Sequence, residues 1–122
     1  MNDKSLLADR LVLVVDDDFY LAEDTRETLE EAGATVLGPY GRADEALASL
    51  EAALPNCAVL DLNLGSGPEF GIARALIELH IPMVLVTGYD HSIIPPDLAG
   101  MASLQKPVSR ARLLAAVAQL VE

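Results

Sequence analysis

Apolar runs and helical patterns alternate along this chain. Leu11 to Val15 is continuously apolar, as a strand covered on both faces of a parallel sheet would be. Asp18 can cap the helix that follows, where Leu21, Ala22, Thr25, Leu29 and Ala32 recur at helical spacing and Gly33 is a natural stop. Thr35 to Leu37 predicts a second strand, ended by Gly38-Pro39. Asp44 to Leu54 predicts a helix with Ala46, Leu47, Leu50 and Leu54 on one face, closed by Pro55. Cys57 to Leu60 is a third buried strand, ending at Asp61. After a loop from Asn63, Pro68 can open a helix that turns Phe70, Ala73, Leu76, Ile77 and Leu79 inward. Met83 to Val86 is a fourth strand, ending at Thr87. Tyr89 to Gly100 has no clean period, and Pro95-Pro96 shortens or prevents a helix there. Met101 to Leu104 is a short fifth strand before Lys106-Pro107. Ser109 then caps a last helix striped by Leu113, Leu114, Val117, Leu120 and Val121.

Strand–helix alternation of this kind implies an α/β fold, a parallel sheet with helices on both faces. Right-handed crossovers leave few topologies for it. Five strands and five helical segments are expected, the fourth of these short or irregular. With no internal repeat, low-complexity tract or linker, residues 1–122 read as one domain with no output domain.

Charge narrows the partners. The chain carries 19 acidic and 8 basic residues, a formal net charge of −11, and such a surface repels a nucleic-acid backbone. Glu23, Asp24, Glu27, Glu30 and Glu31 concentrate this charge on the first helix, as a solvated face or as a docking surface for a basic partner. No apolar stretch is long enough to span a membrane and no signal-type segment follows the polar N-terminus, so a cytoplasmic location is expected. The single cysteine, Cys57, sits in an apolar run and reads as a small buried thiol.

The polar residues at the strand ends carry the chemistry. Asp16, Asp17 and Asp18 follow the first strand, Asp61 ends the third, Thr87 ends the fourth and Lys106 follows the fifth. In an open α/β sheet, ligands bind outside the carboxyl ends of the strands. Carboxylates brought together there repel, and a cation relieves the conflict. Hard oxygen donors select Mg²⁺, with Mn²⁺ as an alternative, over zinc. An aspartate can attack phosphorus to give an acyl phosphate. Lys106 and a metal can neutralise phosphoryl oxygens, and the Thr87 hydroxyl can donate to one. A lone aspartate at a strand end is usually a turn or cap residue. The ordered set of acidic pair, Asp, Thr and Lys-Pro argues instead for a site.

At these residues the chain resembles the receiver domain of bacterial two-component response regulators, over nearly its whole length. The marks are Val14-Val15-Asp16-Asp17-Asp18, Leu60-Asp61-Leu62-Asn63-Leu64, Thr87-Gly88 and Lys106-Pro107. The resemblance implies a flavodoxin-like, doubly wound, five-stranded parallel sheet in the order 2-1-3-4-5. It implies Asp61 as phosphoacceptor, Asp17 as a direct metal ligand, Asp16 as a ligand largely through water, and Asn63 as a ligand through its backbone carbonyl. Asp18 matches no metal-ligand position. Thr87 and Lys106 become the switch hydroxyl and the phosphate-pairing lysine, and the bond before Pro107 is expected to be cis. The implied partners are a sensor histidine kinase or phosphotransfer protein and an unidentified downstream protein, with neither nucleic acid nor membrane. Self-phosphorylation and autodephosphorylation on Asp61 would be its only catalysis.

One position departs from the pattern. Receivers usually carry Tyr or Phe three residues before the lysine, and here that residue is Ser103. The run Pro82-Met83-Val84-Leu85-Val86-Thr87-Gly88-Tyr89 is similar to the FAT GUY subgroup of single-domain receivers, which lack the fifth-strand aromatic. Met83, Leu85 and Val86 stand where that subgroup has Phe, Phe and Ala. Gly88, Tyr89 and the loop to Gly100 are therefore expected to carry the switch. Two rivals are a pseudo-receiver that only binds partners and an aspartate-nucleophile phosphatase of the haloacid-dehalogenase type. A pseudo-receiver usually loses an acidic residue, the acceptor or the lysine, and all are present. The phosphatase class wants a threonine at the fifth position of its first motif, and Asp16-Asp17-Asp18-Phe19-Tyr20 lacks it.

Overall fold

The apolar runs form five parallel strands, β1 (Leu11–Val15), β2 (Thr35–Tyr40), β3 (Cys57–Asp61), β4 (Met83–Thr87) and β5 (Ala102–Gln105), in the order β2-β1-β3-β4-β5. The computed structural model describes residues 5–62, 70–88 and 94–122. Four α-helices connect or follow the strands: α1 (Phe19–Glu31), α2 (Ala43–Ala52), α3 (Gly71–Glu78) and α4 (Arg110–Leu120). Among the described residues, no helix is long and apolar enough to cross a membrane.

Strand alternation sorts the core into two layers. Val12, Val14, Val59, Val84 and Val86 pack with Leu29 of α1 and with Leu113 and Val117 of α4. Leu13, Val15, Leu60 and Leu85 face the other way, toward Ala46 and Leu50 of α2 and Ile72 and Leu76 of α3. Every residue of β3 and β4 is buried, which explains their unbroken apolar sequence. Cys57 is buried within β3, and desolvation pushes its thiol up to about 11, so it behaves as a small apolar side chain.

Several details differ from the expectations. β2 does not stop at Gly38-Pro39 but runs to Tyr40. Gly38 adopts φ +102°, the pairing with β1 shifts register between Leu13 and Val15, and the Gly38-Pro39 bond is cis. As an edge strand, β2 tolerates the N–H that Pro39 lacks. α2 stops at Ala52, because Ala53 is already extended ahead of Pro55, and this leaves Leu54 63% exposed. Leu47 lies off the buried face that Ala46 and Leu50 share. In α3 the inward stripe is Ile72, Ala73 and Leu76, while Ile77 and Leu79 are exposed. Between residues 94 and 100 the backbone forms a single 3₁₀ turn, Pro96–Leu98, anchored by a fully buried Leu98.

Candidate functional site

The carboxyl edge of the sheet gathers residues that are distant in sequence. β1 and β3 are neighbours in register, Val15 opposite Leu60, so the acidic residues that follow β1 meet Asp61 at the end of β3. Asp16, Asp17 and Asp61 each offer a carboxylate oxygen within 4.8 Å of the others. From β5, Lys106 reaches back so that Nζ donates to Asp61 Oδ2 at 2.8 Å. Asp61 is only 4% exposed, so the carboxylate end of this ion pair is shielded from water. Thr87 is fully buried at the end of β4, and its carbonyl accepts from the Lys106 N–H at 2.9 Å. That backbone bond fixes where the lysine side chain starts. The Lys106-Pro107 bond is cis.

Burial and like charge set the proton affinities. Desolvation is the main cause that raises Asp16, opposed by the Asp18 N–H bond and reinforced by the charge of Asp61; the carboxyl is pushed up to about 6. Burial pulls the Lys106 ammonium down, but the bond to Asp61 and the charges of Asp61, Asp16 and Asp17 outweigh it, and the net shift is upward. Lys106 therefore stays charged at neutral pH. Three carboxylates then face one ammonium, all with oxygen donors. This set fits a hard divalent cation and offers no sulfur or imidazole ligand for a softer one.

Beside the carboxylates lies a cavity of about 420 Å³ between α1 and α4. Val59, Val86 and Leu113 form apolar wall, while Asp16, Asp61 and Lys106 form its polar end. The nearly buried Asp61 carboxylate thus borders a space of ligand size. Also lining the cavity, Arg110 Nε donates to Asp24 Oδ1 at 3.0 Å, and the same guanidinium lies 3.5 Å from Glu27 and Glu31. Sequence reading missed this clasp, because Arg110 and Asp24 are 86 residues apart and no local pattern links them. It also missed the Arg74–Asp97 ion pair, at 3.0 Å, between α3 and the 3₁₀ turn.

Of the residues expected at the site, the structure brings Asp16, Asp17, Asp61, Thr87 and Lys106 to one edge. Gly88 follows Thr87, and no described residue lies within 4 Å of where its Cβ would stand. Ser103 is half-buried on β5, paired in register with Leu85. Asn63 and Tyr89 lie outside the described residues. Asp18 caps α1, its carboxylate accepting from the N–H groups of Tyr20 and Leu21.

Known proteins share this fold. The sequence model of a family described as "Response regulator receiver domain" matches residues 12–118. Nodulation protein W of Bradyrhizobium diazoefficiens is 31% identical over 119 residues, 92% of this chain. The chain spans about half, 51%, of that relative's length. A CheY-like response regulator receiver domain protein from Methanospirillum hungatei superposes with a TM-score of 0.81 at 27% identity, covering 92% of this chain and 93% of that one. A response regulator receiver protein from Burkholderia phymatum gives 0.78 at 26% identity, covering 92% and 94%.

Proposed function

This chain belongs to the response regulator receiver domain family, and on that premise we propose that it accepts a phosphoryl group on Asp61 in a reaction dependent on Mg²⁺. The observation that carries the reading is the pairing of an almost fully buried Asp61 with Lys106, inside a three-carboxylate cluster. A carboxylate so placed is desolvated, oriented and flanked by positive charge, as an attacking nucleophile needs to be.

The donor is a phosphohistidine of a sensor kinase or phosphotransfer protein. An Asp61 carboxylate oxygen attacks phosphorus, the P–N bond breaks, and its electron pair returns to the imidazole. Lys106 exchanges its bond to the carboxylate for one to a phosphoryl oxygen. Thr87, at the neighbouring strand end, donates its hydroxyl to another. Asp16, Asp17, Asp61 and the backbone carbonyl of Asn63 would hold Mg²⁺ or Mn²⁺. When bound, the metal supplies positive charge against the phosphoryl oxygens.

Phosphorylation adds about 1.5 to 2 negative charges at one point. With Ser103 in place of an aromatic ring, the response passes through Gly88 and Tyr89, as the similarity to the FAT GUY subgroup suggests. Output follows by binding a downstream protein in the cytoplasm, or by drawing phosphoryl groups off the kinase. A partner-binding pseudo-receiver is disfavoured by the intact ion pair and carboxylate cluster. The test is incubation with a small acyl phosphate and Mg²⁺, read by intact mass. One phosphoryl group is expected on the parent and none on Asp61→Asn; labelling that survives the substitution would refute the assignment.

A further inference from the structure

We propose that Asp18 is a positioning residue for the metal-binding carboxylates, acting through the backbone and not as a ligand. This rests on the reading of Asp16 and Asp17 as metal ligands.

The connection from β1 to α1 is held by a chain of hydrogen bonds. The Asp16 N–H donates to the Tyr40 carbonyl at 2.9 Å, fixing the loop to the end of β2. The Asp18 N–H donates to Asp16 Oδ1 at 2.9 Å, which closes a turn around Asp17. The Asp18 carboxylate then accepts from Tyr20 N–H at 3.0 Å and Leu21 N–H at 3.1 Å, through the same Oδ1. Residue 18 thus belongs to two consecutive turns, the first through its backbone and the second through its side chain. Its backbone is extended, φ −84° and ψ 110°, as a helix cap requires. Gly41 closes the far side: a Cβ there would stand 3.6 Å from Asp17 Cα, so the loop backbone has a neighbour on that flank too.

The physical consequence is preorganisation. Capping pins the backbone at residue 18, and that backbone aims the N–H that orients the Asp16 carboxylate. An aspartate held only by its own rotamer freedom would have to be ordered when the cation binds. Here the ordering is done when α1 forms. The role assigned to Asp18 is this geometry and not ligation, since its Oδ1 is engaged by the helix N–H groups.

Two substitutions separate these roles. Asp18→Asn keeps a capping oxygen and removes the charge; Asp18→Ala removes both. Mg²⁺ titration followed by amide NMR shifts should show Asp18→Asn binding within about twofold of the parent and Asp18→Ala weakened about tenfold. Asp18→Ser, a second good cap, should rescue the loss. Amide dispersion reports folding directly, and if Asp18→Ala unfolds, the Asn and Ser variants alone decide. Equal weakening by Asn and Ala would assign the effect to charge and overturn the proposal, as would parent-like binding by Asp18→Ala. Absence of saturable Mg²⁺ binding by the parent would instead bring down the metal-dependent reading of Asp61 itself.

Discussion

Lys106 Nζ stands 2.8 Å from Asp61 Oδ2, joining two side chains 45 residues apart across the sheet edge. The lysine is about one-third exposed and the aspartate almost fully buried. Removing the ammonium therefore leaves a shielded carboxylate beside two others. Lys106→Met should destabilise the metal-free protein by about 1–3 kcal/mol, the cost of removing a charged hydrogen-bond partner from a buried carboxylate. The same substitution should tighten Mg²⁺ binding several-fold, because a competing cation has gone. Urea unfolding with and without Mg²⁺ checks both, since the stability deficit should shrink as the metal saturates. A Lys106→Met protein with parental Mg²⁺ affinity would place the cation elsewhere.

Asp16 gives a pH signature. Its carboxyl sits at about 6 in the folded protein against an ordinary 3.8, chiefly through desolvation. The folded state thus holds this proton more tightly than the unfolded chain does. The stability it brings is fully present below about pH 4 and is lost as pH rises through 6. Because the group is only half-buried, solvent screening reduces the effect to about 1–2 kcal/mol. Without metal, the stability of the parent relative to Asp16→Asn should fall by that amount between about pH 4 and pH 7. Mg²⁺ favours the ionised carboxylate and should flatten the slope. A difference between the two proteins that is independent of pH would show that Asp16 titrates normally.

The part of the site that was legible in the sequence is the part that strand ends dictate. β1, β3 and β4 are covered on both faces, so they read as unbroken apolar runs, and the polar residue that ends each run sits at the carboxyl edge. That places Asp16, Asp61 and Thr87 from local pattern alone, and Lys106 by its position after β5. The helix faces were less legible. Leu47, Leu54, Ile77 and Leu79 fit an apolar period yet are exposed: Leu47 and Ile77 flank the buried face of their helices, and Leu54 and Leu79 lie past the helix ends. The extent of β2 was hidden by Gly38-Pro39, a pair that usually ends a strand. The Arg110–Asp24 clasp and the cavity it borders arise from tertiary packing between α1 and α4, which no local periodicity encodes.

Gly38 links that unreadable strand to the site. Its φ of +102° lies where side-chain-bearing residues are strained, and a Cβ would come within 2.9 Å of the Val14 carbonyl and 2.8 Å of the Tyr40 nitrogen. Both neighbours are backbone, so neither can swing aside. Tyr40 in turn accepts the Asp16 N–H, so displacement here is transmitted to the acidic loop. Gly38→Ala should cost about 1–3 kcal/mol. Gly100 is the internal control, since a Cβ there meets none of the described residues within 4 Å. Gly100→Ala should change stability by no more than about 0.5 kcal/mol. Urea midpoints for the two variants, at unchanged slope, decide the matter: equal midpoints would mean that β2 bends easily at residue 38 and does not hold the acidic loop rigidly.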